Sequence, residues 1–275
     1  MSILLVGKVD YLNCFPIYYP IESDLINLPI ELVKGPPALL NRKYLEGHLT
    51  ITPISSIEYA KNPNSSLILP NMSISAVGNV ESILLFSKVP IEKLNNKNIA
   101  LTNSSATSIV LLKILLSKMF GILPNYETMT PNLAHMLERA DAALLIGDDA
   151  LSANTVHNSE LYIYDLGKLW FDLTGLPMVY AVWVIRQEIA KNYANETAAI
   201  VEGFQQAKIW YSHNLDLIIK QANENYDYSV ELITNYFSTI KYELDTNYQK
   251  SLSKFYSYAE ELGIISTNVD LKIWG

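Results

Sequence analysis

Hydrophobic residues in this sequence form short continuous runs, separated by polar segments that carry helix-boundary signals. The first part of the chain has three such runs, at residues 3–9, 29–34 and 49–54, each with the length and composition of a buried strand. Between the second and third runs, Gly35-Pro36-Pro37 predicts the start of a helix and Gly47 predicts its end. This order predicts one βαβ unit.

Polar residues follow two of these predicted strands. Asn13 lies in a loop after the first strand, and Ser55-Ser56 comes directly after the third. Ligand sites in open parallel sheets collect beyond the carboxyl ends of the strands. We therefore expect Asn13, Ser55 and Ser56 to lie at the same edge of the sheet.

The same order returns in the middle of the chain. Residues 99–102 predict a strand, a long apolar helix follows until Gly121, and residues 142–147 predict a second buried strand that ends in Asp148-Asp149. The pattern predicts a second α/β lobe. We interpret Asp148 as a helix N-cap rather than an acid catalyst, because carboxylates are favoured at helix starts.

Two further extended runs, at residues 80–88 and 178–186, are placed where they would carry the chain from one lobe to the other and back. The segments after residue 186 read as helices, which we expect to pack on the first lobe. The predicted organisation is a larger discontinuous lobe of residues 1–87 and 182–275, a smaller lobe of residues 88–181, and a ligand cleft between them.

The turn before the long apolar helix is rich in small hydroxyl residues. Ser104 or Ser105 is suited to cap this helix, and Thr107 and Ser108 stand in its first turn, where backbone N–H groups are free. Such a turn can bind an anion. The Ser55-Ser56 turn has a similar composition, so two facing turns would clamp an anionic small molecule. The alternative for either turn is a capped core helix with no ligand.

Charge and cysteine content narrow the partners. The chain has 20 basic and 28 acidic residues, a net charge of -8, and no Lys/Arg cluster, which argues against a nucleic-acid or anionic-membrane partner. It has no apolar run of about 18 residues, and its N-terminal apolar run lacks the basic start of a secretory signal. Cys14 is the one cysteine, and we expect a packed thiol rather than a nucleophile. We predict a cytoplasmic protein.

The sequence offers few groups for cofactor or acid–base chemistry. It has no Gly-rich phosphate loop, nucleotide fingerprint or metal-type spacing of His and Cys, so we predict neither a cofactor nor a metal. None of its four histidines falls in a strand-end turn, and each is expected to be a surface or packing residue. These are His48, His135, His157 and His213.

Several strings occur together in an order that resembles a known family. They are YLNCFP, GPPALL, ISSIEYA, SILLFSK, ALTNSSATS, AALLIGDDAL and GLPMVYAVW, and the resemblance runs over about residues 3–186. The chain resembles the chorismate dehydratases of menaquinone biosynthesis by the futalosine route. The resemblance implies a two-lobed α/β fold of the type II periplasmic-binding-protein kind, each lobe a sheet flanked by helices, with chorismate as the substrate.

The resemblance also implies site residues. Asn13 falls on the Asn of the YLN string and Ser82 on the Ser of the inter-lobe strand, which hold the substrate in the family and are the candidate catalytic residues. The residues matching the cleft-facing turns are the candidate substrate-binding residues, namely Ser55, Ser56, Ser105, Thr107 and Ser108. Many members have an Arg where this chain has Phe15, so helix N-termini are expected to carry more of the anion binding.

Removal of water from chorismate gives an aromatic ring, 3-[(1-carboxyvinyl)oxy]benzoate. Because the candidate residues do not titrate near neutrality, the proton acceptor is hypothesised to be the enolpyruvyl carboxylate of the substrate itself. Two other functions fit a chain of this kind: a non-enzymatic solute-binding protein of the same fold, and the sibling 1,4-dihydroxy-6-naphthoate synthase. Both a monomer and a homodimer are compatible with the sequence.

Overall fold

The computed structural model describes residues 4–155, 160–266 and 269–275. The strands, in chain order, are β1 (Leu4–Val9), β2 (Ile30–Gly35), β3 (Ile51–Ser55), β4 (Ser66–Ala76), β5 (Ile83–Ser87), β6 (Asn98–Thr102), β7 (Asn125–Met129), β8 (Ala142–Ile146), β9 (Tyr162–Asp165), β10 (Met178–Arg186) and β11 (Ile240–Lys241).

Helices connect and cover these strands. They are α1 (Phe15–Glu22), α2 (Pro37–Leu45), α3 (Ser56–Lys61), α4 (Ala106–Lys118), α5 (Leu133–Arg139), α6 (Gly147–Thr155), α7 (Leu166–Thr174), α8 (Gln187–Asn192), α9 (Ala194–His213), α10 (Leu215–Asn225), α11 (Val230–Thr239) and α12 (Thr246–Glu261).

The strands form two sheets with similar architecture. The first sheet has the order β11-β4-β10-β3-β1-β2, and the second has the order β7-β6-β8-β5-β9. In each sheet three strands run parallel, β2-β1-β3 in the first and β7-β6-β8 in the second, and an antiparallel strand follows, β10 and β5 respectively. The predicted α/β class with a sheet flanked by helices in each half is confirmed.

Strand pairing places both boundaries between the two halves earlier in the chain than the predicted lobe ranges do. The first range ran to residue 87, yet β5 pairs with β8 and β9 of the second sheet. That range resumed at residue 182, yet β10 pairs along its whole length with strands of the first sheet. The crossings are therefore the segments at residues 77–82 and 175–177. The division into two lobes with a cleft between them stays a proposal.

The predicted strands and helices form where their apolar residues are buried. Every residue of β3 and of β8 is buried, as expected for central strands that are covered on both faces. The C-terminal helices pack on the first sheet as predicted, since α9 lies against α1 and α12 lies against β10. Helix α12 also contacts α4, so the C-terminal segment touches elements of both sheets.

Candidate active site

A partly open cavity of about 70 Å³ lies where the two sheets meet. Five of the seven predicted site residues line it, and they come from the loop after β1, from the segment before β5, and from the turns before α3 and α4. These residues are Asn13, Ser82, Ser55, Ser105 and Ser108. The structure therefore brings together residues that are up to about a hundred positions apart in the sequence.

Ser82 lies in the crossing segment just before β5, and both its carbonyl and its hydroxyl form hydrogen bonds with other elements. The preceding residue, Glu81, has a left-handed φ of 64°. The Ser82 carbonyl accepts a hydrogen bond of 2.7 Å from the N–H of Gly147, and its hydroxyl accepts one of 2.9 Å from the hydroxyl of Tyr236. The Ser82 side chain is buried and faces the cavity with its position fixed by other residues.

Asn13 stands in a single 3-10 turn, Leu12–Cys14, that follows β1. The hydroxyl of Tyr242 donates a hydrogen bond of 2.8 Å to the Asn13 carbonyl. Its side-chain Oδ1 is buried and has no hydrogen-bond partner among the described residues. A buried acceptor without a partner costs free energy, so this oxygen is a group that a bound molecule would satisfy.

The two hydroxyl-rich turns both contribute residues to the cavity lining. Ser105 caps α4, because its Oγ accepts a hydrogen bond of 3.2 Å from the N–H of Ser108. Ser55 is held by Asn41, whose side chain donates to the Ser55 Oγ at 3.1 Å and accepts from the Ser55 N–H at 3.2 Å. Ser55, Ser105 and Ser108 thus present polar groups to the cavity from two different helix starts.

Ser56 and Thr107 were also predicted to bind the substrate; neither is among the residues that line the cavity, and their role stays a prediction. The Thr107 Oγ1 lies 3.3 Å from the Ser56 Oγ and accepts a hydrogen bond of 3.3 Å from the N–H of Ile57. The Ser56 Oγ also donates to the carbonyl of Val179 at 3.0 Å. Their hydroxyls join the α3 turn to the α4 turn, since each turn leaves polar groups that need partners when buried.

Asp148 was interpreted as a helix cap, but it makes a different contact. Its Oδ1 accepts a hydrogen bond of 3.1 Å from the N–H of Leu12, which follows β1 in the other sheet. Burial raises the pKa of Asp148 to about 6; the bond from Leu12 opposes this rise, and the nearby Asp149 and Asp10 add to it. The carboxylate is a contact between the two halves of the molecule.

Sequence reasoning missed two tyrosines that line the cavity. Tyr11 belongs to the YLN string, and a Cβ added at Gly147 would lie 2.8 Å from its ring. Tyr180 is buried, and its hydroxyl has no hydrogen-bond partner among the described residues. Tyr11 lies two residues before the predicted Asn13, so the same string pointed to it. Tyr180 lies within a strand whose sequence is mostly apolar, which gave no signal.

The cavity lining is electrically neutral, because none of the described residues that form it is charged. Phe15, at the position where many members of the resembled family have Arg, packs against the rings of Tyr19 and Tyr226 at 5.4 and 5.6 Å. An anion in the cavity would therefore be held by N–H groups and hydroxyls at the α4 start.

Other candidate groups lie elsewhere or are inert. Burial raises the pKa of the Cys14 thiol to about 12, so it stays protonated and is a poor nucleophile, in line with the predicted packing role. His48, His135 and His213 are exposed, and His157 lies outside the described residues.

The ranges 4–155, 160–266 and 269–275 contain neither a metal-type cluster nor a membrane-spanning helix. Within those ranges no three His, Cys, Asp or Glu residues are grouped as a metal site would require. No helix there combines the length and apolar character needed to cross a membrane.

Comparisons with known sequences identify the family of this chain. The model of a family described as menaquinone biosynthesis matches residues 4–261. The chorismate dehydratase of Thermus thermophilus is 31% identical over 274 residues, which cover 94% of this chain and 95% of that protein. The 1,4-dihydroxy-6-naphthoate synthase of the same organism is 21% identical over 268 residues, which cover 96% of each.

Comparisons with solved structures show the fold. A crystal structure of a protein from Archaeoglobus fulgidus superposes with a TM-score of 0.76 at 21% identity, covering 95% of this chain and 98% of that one. The periplasmic aliphatic sulphonate binding protein of Escherichia coli superposes with a TM-score of 0.69 at 16% identity, covering 100% and 98%. The fold is that of the periplasmic binding proteins.

Proposed function

Because the chain belongs to the menaquinone-biosynthesis family, we propose that it is a lyase that removes water from chorismate to give 3-[(1-carboxyvinyl)oxy]benzoate. The observation that carries this proposal is the meeting of Asn13 and Ser82 in one cavity, in a chain that is 31% identical to a chorismate dehydratase. Asn13 and Ser82 are far apart in the sequence, so their convergence on one cavity supports a shared role.

The proposed site binds an anionic ring through neutral groups. The start of α4 holds one substrate carboxylate by hydrogen bonds from its free N–H groups and from the hydroxyl of Ser108, whose oxygen accepts the proton of Ser105 at 3.0 Å. The Ser55 hydroxyl faces the cavity from the other turn. Apolar residues such as Val9, Ile74 and Ile146 cover the ring and exclude water, which strengthens those hydrogen bonds.

The dehydration proceeds by loss of two neighbouring ring substituents. The enolpyruvyl carboxylate removes the proton from the ring carbon that bears the ether, and the electron pair delocalises through the ring alkene into the ring carboxylate. The hydroxyl then leaves the adjacent carbon as hydroxide and takes up the proton held by the enolpyruvyl carboxyl group, so that one molecule of water is released, the carboxylate is regenerated and the ring becomes aromatic. Ser82 donates a hydrogen bond to the leaving oxygen, and the Asn13 Oδ1 accepts from the substrate.

The test is direct turnover. Purified protein is incubated with chorismate, and loss of chorismate and appearance of the aromatic product are followed by liquid chromatography. Asn13→Ala and Ser82→Ala are expected to lose roughly 10²-fold or more in kcat, because each removes a positioned polar group from the reacting centre. Ser66→Ala is the matched control, since Ser66 is also buried and also accepts from a tyrosine hydroxyl, that of Tyr44, away from the cavity.

Other results identify the rival functions. Binding of chorismate in calorimetry without its consumption would favour a solute-binding protein, a role that the structural similarity to the sulphonate binding protein keeps open. Production of 1,4-dihydroxy-6-naphthoate from the substrate of the sibling synthase, with chorismate left intact, would assign the chain to that reaction. Full activity in both Asn13→Ala and Ser82→Ala would remove these residues from the mechanism.

A further inference from the structure

Tyr236, in helix α11, lies directly behind Ser82. It is completely buried, and its hydroxyl donates a hydrogen bond of 2.9 Å to the Ser82 Oγ. The side chain of Asn13 lies near the same tyrosine. Tyr236 thus adjoins both proposed catalytic residues while standing outside the cavity lining. It lies fifty residues beyond the strings that carry the family resemblance, in a helical segment that sequence reasoning assigned to packing.

The direction of this hydrogen bond restricts what Ser82 can do. A serine hydroxyl has one proton, and a lone pair of the Ser82 oxygen is already occupied by the proton of Tyr236. The Ser82 proton therefore points elsewhere, and none of the described residues accepts it. Since Ser82 lines the cavity, that proton is available to a molecule bound there.

The tyrosine is suited to this one-way role. Burial raises the pKa of Tyr236 well above its ordinary value, so the phenol stays protonated throughout the range in which enzymes are assayed. The packed ring restricts movement of the hydroxyl, and α11 holds it against the crossing segment. A phenol that never ionises acts as a permanent donor rather than as a base.

We propose that Tyr236 is a positioning residue that holds Ser82 as a hydrogen-bond donor toward the substrate hydroxyl. This inference rests on the proposed dehydration of chorismate and deepens it. Tyr236 orders the donor before the substrate arrives, so that its free-energy contribution appears in the barrier more than in the affinity.

The first experiment compares two buried tyrosine–serine pairs. Tyr236→Phe removes the hydroxyl behind Ser82, and Tyr44→Phe removes a similarly buried hydroxyl that donates to Ser66 at 2.8 Å. We expect Tyr236→Phe to lower kcat by about 10-fold, less than Ser82→Ala does, with KM changed much less. Tyr44→Phe is expected to keep wild-type kcat, and thermal melts of both variants show whether they are folded.

The second experiment is a double-mutant cycle with Ser82→Ala. If Tyr236 acts through Ser82, then Tyr236→Phe causes no further loss of kcat once Ser82 is alanine. The double variant removes both partners of the bond and leaves no unpaired polar group between them, so it folds even if the single variant does not.

The outcomes separate the two claims. If the wild-type protein leaves chorismate unchanged, the proposed function fails and this inference fails with it. If wild type is active and Tyr236→Phe keeps full kcat, or loses the same factor with and without Ser82, the proposed function stands and the positioning role is overturned. A loss of kcat confined to the Ser82 background supports the positioning role.

Discussion

Gly147 shows how a single residue without a side chain shapes the site. It lies at the first position of α6 with a left-handed φ of 57°, its N–H holds the Ser82 carbonyl, and the ring of Tyr11 covers its Cα. A Cβ at this position would lie 2.8 Å from that ring, closer than real Cβ contacts come. Only glycine meets both requirements without strain.

We predict that Gly147→Ala costs stability and activity together. The left-handed backbone costs about 1–2 kcal/mol for a residue with a Cβ, and the displaced Tyr11 ring disturbs the cavity wall. Gly121→Ala is the matched control, because Gly121 has a φ of 65° and open space where a Cβ would go. Urea unfolding should show a loss of stability in both variants, larger in Gly147→Ala because of the added clash, while only Gly147→Ala loses turnover. Equal activity in both would mean that the Tyr11 contact is irrelevant to the site.

Residues differ in how far the sequence could reveal them. Asn13 and Ser82 were predicted because strings of recognisable order surround them, and the structure places both at the cavity. Their roles remain predictions. Tyr180 and Tyr236 carried no local signal, because a buried tyrosine in an apolar strand or helix has the same sequence pattern whether its hydroxyl is used or not.

At the scale of elements, the α4 start combines two tasks that its sequence does not separate. Ser105, the cap, and Ser108 line the cavity, whereas Thr107 points at α3 and binds the Ile57 N–H. Successive residues of a helix point in directions about 100° apart, so neighbours in one turn cannot all face the same cavity. The sequence predicted the turn and its cap correctly but not which hydroxyl lines the cavity.

We predict that Thr107→Val and Ser105→Ala have different effects. Valine keeps the shape of threonine but leaves the buried Ile57 N–H without its acceptor, which costs about 1–3 kcal/mol, and KM should stay unchanged. Ser105→Ala loses the cap, at about 1 kcal/mol, and should also raise KM because Ser105 faces the cavity. Chemical denaturation and steady-state kinetics measure both quantities. A raised KM in a fully stable Thr107→Val protein would return this hydroxyl to the binding site.

The fold was predictable because its repeated strand–helix order has few solutions. Alternating strands and helices lead to parallel strands with right-handed crossovers, which gives the two parallel sets observed. The sheet that β5 and β10 each join was less predictable. Both strands are mostly apolar, and periodicity does not show which sheet an apolar strand joins.

At the scale of the whole molecule, Asp148 links the two halves through a group whose charge depends on pH. The carboxylate is attached to α6, on the second sheet, and accepts from Leu12, which follows the first. Burial raises its pKa from 3.8 to about 6. Between these values the folded protein binds more protons than the unfolded chain, so the stability from this group is lost as pH rises through that window.

We predict that Asp148→Asn flattens this dependence. Asparagine keeps an oxygen that accepts from Leu12 but carries no charge to bury. The variant should be more stable than wild type at pH 7 by about 1–3 kcal/mol and should show little advantage at pH 4, because two pKa units correspond to about 2.7 kcal/mol. Melting temperatures measured from pH 4 to pH 8 test this. A constant difference across that range would show that the ionisation of Asp148 is not responsible.

The position of β10 also determines when the molecule can assemble during synthesis. The second sheet uses residues 83–165, so all of its strands are translated, and emerge from the ribosome, before β10 does. The first sheet contains a gap between β3 and β4 that only β10 fills, about a hundred residues after both have been translated. The edges of β3 and β4 that pair with β10 stay unpaired during that interval. The inserted half of the chain therefore completes its sheet first, and the half that begins the sequence completes its own last.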